Sequence, residues 1–415
     1  MSETLEVRAE LLKLSRLLGV GEGELDYLGA IPSAELRQLR ESATDRLFDD
    51  GAKMLGRVGA AARLVPSGIT ATIAQKAFGP LLCARSAGMV DAGKAVEVAR
   101  RLPADFLADV VIDLDPRRVV DIIAQVPAEL VEPVARELGR RGEHVTMGRF
   151  LAFVPDHLIA TAMGALDDEA MLRTAFVLEH KDRLDHAVGL LPAERLPGIL
   201  ESAAGLGLWP EVLDLLDQLT EERLGPIADL VATQPQELVA DLVTAVSEQG
   251  IWDSLLPVVR QMSDAGRAQM VTVPVFHDPL ILREIVEAAA RQGLWLDLVP
   301  LVNAVPDDVR RTVAGIAGDL DPALLNNVLT EAVGAPETFE TLLGLVNEMP
   351  APGLAKVVAL IDEAEKPLAK DLLASLSNPT ESARLYAMLP PDLKDAVQRA
   401  AERFNLQKEL AKAIG

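Results

Sequence analysis

Three segments decide the reading of this chain: GLWPEVLDLLDQL at residues 207–219, GIWDSLLPVVRQM at 250–262 and GLWLDLVPLVNAV at 293–305. They hold the three tryptophans, Trp209, Trp252 and Trp295, spaced 43 residues apart and then 43 again, each two positions after a glycine (Gly207, Gly250, Gly293). Behind each indole runs the same apolar template: Val212, Leu213, Leu215, Leu216 and Leu219 in the first copy, with matching residues in the others. A fourth copy, FETLLGLVNEM at 339–349, follows at a spacing of 44 with Phe339 in place of tryptophan. A fixed period of this length marks a repeat architecture, in which stacked units share one continuous core.

The repeats read as helices. Leu238, Val239, Leu242, Val243 and Val246 recur 43 residues later as Ile281, Leu282, Ile285, Val286 and Ala289. That i, i+1, i+4, i+5, i+8 spacing defines one helical face and not a strand. The only β-like run, residues 271–276, is interrupted by Pro274. Each copy accommodates three helices, at 211–219, about 222–232 and 236–249 in the first. The glycine is placed to end a helix in the left-handed conformation, and the ring two residues on fills the gap between units. A row of ligand-stacking rings along one groove is the alternative, since the period puts all three on equivalent positions.

Followed outward, the register places His144 in the tryptophan slot of a degenerate earlier copy, two residues after Gly142, and ends a last weak copy at Leu389-Pro390. A helix is expected over 3–19, ended by Gly19 and Gly21, and another from Ser33 through Leu39, Ala43, Leu47, Met54, Leu55 and Val58. Asp115-Pro116, Asp278-Pro279 and Asp321-Pro322 each read as a helix start: the carboxylate caps free N–H groups, and proline stands where its missing N–H costs nothing. Four regions follow: an N-terminal helical region at 1–91, short-helix repeats at 92–200, 43-residue repeats at 201–390 and a polar capping helix at 391–415. The expected fold is all-α, a right-handed α-solenoid with an N-terminal helical cap region.

Residues 64–90 differ from the rest in composition. Only Lys76 and Arg85 are charged, and Gly and Ala dominate. One reading is an inner helical hairpin, closely packed because its side chains are small, with its bend at Gly79-Pro80. The other is a lid or lipid-touching hairpin that exposes Ile69, Ile73, Phe78, Leu81 and Leu82.

Net charge excludes one class of partner. At −23, with no Lys/Arg-rich run and 3% aromatics, the chain lacks the basic patch and stacking platform that nucleic acid requires. The single cysteine, Cys83, sits among Leu81, Leu82 and Ala84 and reads as a small buried thiol. The first residues carry acids without an apolar segment, and no stretch reaches the ~18 uninterrupted apolar residues of a spanning helix; a cytoplasmic protein is expected.

No phosphate-binding glycine loop, nucleophile elbow or paired-histidine metal motif occurs. Of the histidines, His277 stands out because it follows Pro274, where a loop breaks the periodic scaffold. Asp167, Asp168 and Glu169 read as a helix N-terminus. Asp105, Asp109 and Asp113 share one helical face and are the weak candidates for Mg²⁺ or Ca²⁺, to which oxygen ligands are suited. No cofactor and no catalytic residues are expected.

Across 92–200, helices of about ten residues open on Leu-Pro-Ala-Asp (102–105), Leu-Asp-Pro-Arg (114–117) and Val-Pro-Ala-Glu (126–129). This texture resembles the cytoplasmic N-terminal domain of MgtE-type magnesium transporters and, further off, repeats of flagellar motor switch proteins. The resemblance implies a right-handed superhelix and magnesium sensing by acidic residues. The chain lacks both the CBS module and the membrane helices of such transporters, and from 200 on it looks more like HEAT-type repeats.

The expected function is a non-enzymatic binding or scaffold protein presenting a concave face to a protein or peptide partner. Its acidic balance favours a basic partner. Two alternatives remain: a carrier of a hydrophobic small molecule, or a protein resting on a membrane surface, either one through residues 64–90; and a Mg²⁺-responsive regulator.

Overall fold

The computed structural model describes residues 2–21, 23–49, 56–57, 64–333, 336–376 and 382–414. Met54, Leu55 and Val58, placed above in the second helix, lie outside the described residues. Every regular element among those described is a helix, and none is a strand. Residues 271–276 are the turn that follows the helix Asp264–Met270 and the first part of a 3₁₀ turn, Pro274–His277.

The chain divides into two compact units, Met1–Arg223 and Leu224–Gly415. In the first, helix α1 (Ser2–Leu18) and helix α2 (Ser33–Asp49) lie side by side in the same direction. Glu3 accepts hydrogen bonds from the backbone N–H and hydroxyl of Ser33 at the start of α2, and Val7, Leu11, Leu14, Leu25 and Leu36 close their shared core. Helix α3 (Ser67–Ile73), a π turn (Ala74–Phe78) and helix α4 (Gly79–Ala87) follow.

From there the helices form two interleaved rows, each helix packing on another two or three elements on. Helix α4 meets Ala104–Ile112, which meets Ala128–Arg140, which meets Asp156–Ala165. His144–Phe150 meets Asp168–Phe176, which meets Leu196–Leu206. The second unit repeats the pattern. Trp252–Arg260, Pro279–Gln292, Asp307–Asp319, Ala351–Glu363 and Pro391–Phe404 form one row of successive contacts. Asp264–Met270, Trp295–Ala304, Pro336–Glu348, Ser382–Met388 and Gln407–Ile414 form the other.

The helix ends follow from local chemistry. Gly207, Gly250 and Gly293 close the helices before them at φ 65°, 64° and 69°. In each case the next residue's N–H returns to a carbonyl five positions back: Leu208 to Ala203, Ile251 to Val246 and Leu294 to Ala289, at 2.9–3.0 Å. This is the Schellman closure, which satisfies carbonyls that a helix end leaves unpaired. Gly142 has the same conformation (φ 70°), Glu143 bonds back to Leu138, and His144 opens the next helix as the tryptophans do. The three aspartates before proline cap as their sequence implies: Asp115 accepts from the Arg117 N–H, Asp278 from Leu280 and Asp321 from Ala323.

Candidate binding surface

The tryptophan slots are filled from inside. Trp209, Trp252 and Trp295 are each the first residue of a helix and are 1%, 3% and 3% exposed. A ring so covered offers no face for stacking a ligand, so these residues pack between layers. The Trp252 indole donates to Glu284 Oε2 at 2.7 Å. Phe339 is also buried, but it lies inside the helix Pro336–Glu348 and not at its first position.

The acidic candidates on the 104–113 face are dispersed among other partners. Asp109 pairs with Arg141 at 2.6 Å, and Asp105 accepts from the Phe106 N–H. Loss of solvent holds the Asp113 carboxyl above the ordinary range, with Arg85 and Arg16 opposing. Among the described residues no three or more His, Cys, Asp or Glu converge as a metal ligand set. Asp167 caps its helix through the Ala170 N–H, and His277 Nε2 is bonded to the Val271 carbonyl in its own loop. Burial pushes the Cys83 thiol up, and its Sγ donates to the Ala74 carbonyl. A thiol held protonated in this way is a poor nucleophile.

What composition did not indicate is a charged surface inside the first unit, on which α1 lies. Along α1 from its last turn to its first, the partners come from segments far apart in the chain. Arg16 pairs with Glu143, Lys13 Nζ donates to the Leu178 carbonyl, Arg8 pairs with Glu211 at 2.8 Å, and Glu6 meets Lys181. Lys181 is also held by Asp214 at 2.8 Å. The partners lie in three segments of the first unit: the start of the helix His144–Phe150, the residues 178–181 after Asp168–Phe176, and the helix Trp209–Leu216.

At the centre Glu10, 1% exposed, takes Lys13 at 2.9 Å, Arg40 at 3.0 Å and Arg37 at 3.3 Å, while Arg40 reaches Glu179 at 2.7 Å. Burial alone would raise the Glu10 carboxyl, but Lys13 and Arg40 outweigh it and hold it below its usual range. Burial lowers Lys13, against the pull of Glu10. Asp45 of α2 extends the contact to Arg117 and Arg118. None of these pairings has a sequence period of its own, and the signal was the charge alternation Arg8, Glu10, Lys13, Arg16 on a helix otherwise rich in leucine.

A second exposed feature is the bend at residues 64–82. Its small residues, Ala71, Ala74 and Ala84, are buried, and its large ones face outward. In the second unit an apolar cavity of about 70 Å³ is lined by Trp295, Phe339, Leu342, Ile361 and neighbouring aliphatic side chains. That is under half the ~150 Å³ of an apolar cavity that takes one benzene ring, and too small for a lipid chain. No family model, curated protein or solved structure matches this chain.

Proposed function

We propose that the chain is a non-enzymatic binding or scaffold protein, an α-solenoid whose stacked layers receive a helical segment of a protein or peptide partner. The observation that carries this reading is α1 itself. A helix held by charged side chains from three segments of the chain is the kind of contact a repeat array makes with a helical ligand. The interleaved rows of helices, the shared Schellman closures and the 43-residue period support the solenoid. The acidic Glu143, Glu179, Glu211 and Asp214 on that face suit a partner helix carrying spaced Arg and Lys.

Arg8 and Arg16 are largely exposed on α1, so their reversal loosens the bound helix without opening the core. A labelled peptide of residues 2–18 is expected to bind the full-length Arg8→Glu, Arg16→Glu protein more tightly than the unaltered chain, and more weakly as salt rises, measured by fluorescence anisotropy. If neither protein takes the peptide, the face does not receive helices and the reading fails.

A further inference from the structure

Of the twelve large apolar side chains exposed among the described residues, six lie within 19 positions: Leu64, Ile69, Ile73, Phe78, Leu81 and Leu82. Leu64 is 89% exposed and Ile69 55%. An isolated exposed leucine needs no explanation, but a contiguous group does. The element is also amphipathic in an unusual sense, since Ala71 and Ala74 are buried while its large side chains stand outside. Burial of apolar area favours the opposite arrangement, so folding alone does not account for it.

The backbone bends among these residues. Helix α3 passes into the π turn, and Gly79 then redirects the chain at φ 75°, ψ 172°, a conformation open essentially to glycine. Pro80 opens α4 beyond it. Phe78 and Leu81 therefore flank the bend, with Leu82 behind. The base is tied down: Lys94 Nζ donates to the Val65 carbonyl at 2.8 Å, the Ser67 hydroxyl donates to Glu97 at 2.6 Å, and α4 packs on Ala104–Ile112.

Charge identifies the surface it meets. Residues 64–90 contain two cations, Lys76 and Arg85, and no acid, a balance of +2 in a chain of −23. On the bend itself, Lys76 is the one charge between Leu64 and Ala84, and it is exposed, as are Arg100 and Arg101 nearby in sequence. Exposed apolar side chains on an element whose own charges are cationic match the interface of an anionic bilayer, where the chains enter the acyl boundary and the cations meet lipid phosphates and carboxylates. Screening limits each charge to about 8 Å at physiological salt, so the charges carried by the element itself weigh most in that contact. No described helix is long and apolar enough to cross a membrane. We propose that residues 64–82 form a docking element that lies on an anionic lipid surface.

The experiment is flotation of the full-length protein with vesicles of phosphatidylcholine alone and with about a third phosphatidylserine. Binding is expected to the anionic vesicles, to fall about ten-fold for Leu81→Asp and several-fold for Lys76→Gln, with circular dichroism and melting temperature unchanged. Since these side chains are exposed, the variants fold, and a Leu81→Asp chain that bound as well as the original would overturn the proposal. So would absence of binding to either vesicle, equal binding to both, or concentration-dependent dimerisation that Leu81→Asp abolishes, which would assign the element to a second copy of the chain.

Discussion

Gly207, Gly250 and Gly293 do the same work three times. Each lets the backbone turn left-handed so that the next N–H can reach back, and the tryptophan two positions on then enters the core. Open space surrounds the Cβ position of Gly250, so its constraint is conformational and not steric. Gly250→Ala should therefore lose about 1 kcal/mol and Gly250→Asn less, because Asn tolerates this region. The shift of the urea midpoint at unchanged slope measures it, and an Ala variant as stable as the original would show that the cap is dispensable. These positions were legible from composition alone because Gly and Trp have few substitutes there. The orientation of the indoles was not. Trp252 finds Glu284, 32 residues on, but the matching position after Trp295 is Asn327, which is exposed, and the Trp295 N–H stays without a partner among the described residues.

At the scale of elements, the contact of α1 with α2 and the repeats turns on Glu10. It is faced by Lys13 on its own helix, Arg37 and Arg40 on α2, and Glu179 beyond Arg40. Removing one member of a fully buried pair leaves the other charge unpaired, which costs about 3 kcal/mol, whereas removing both is far milder. Glu10→Gln should thus destabilise the chain by about that amount, and Glu10→Gln with Lys13→Met should recover much of it in a denaturation cycle; additive losses would mean the two groups act independently. The pH dependence has a fixed sign. The Glu10 carboxyl titrates lower folded than unfolded, so its stabilising contribution is complete above the unfolded value near 4.5 and is lost as pH falls through the folded one. Hydrogen-exchange protection over residues 2–18, taken relative to the intrinsic rate at each pH, should fall in that acid window and stay high at neutral pH. Helix boundaries here were readable from Ser33 and Gly19, but the burial of so charged a helix was not: α1 reads as an ordinary surface helix until the repeats that neutralise it are in place.

For the whole molecule the informative quantity is how charge is distributed. The +2 of residues 64–90 leaves −25 on the remainder, so an apolar segment without acids is set in an acidic chain. The acidic background should attract cationic partners over a screening length. Oligolysine, as a probe of that chemistry, is expected to bind the full chain and to lose most of its affinity between about 0.05 and 0.5 M NaCl, followed by anisotropy; a salt-insensitive complex would exclude electrostatic recruitment.

By itself the sequence determined the all-helical class, the 43-residue repeat with its glycine and tryptophan markers, and the aspartate caps. Each of these rests on interactions within a few turns of chain or on periodicity, which are local properties. Only the tertiary structure decided that the large side chains of 64–82 face outward, that Asp109 is taken by Arg141, and that α1 is held by residues 127 to 203 positions away. Those outcomes depend on which distant side chains supply burial or opposite charge, and such partners leave no period in the sequence to read.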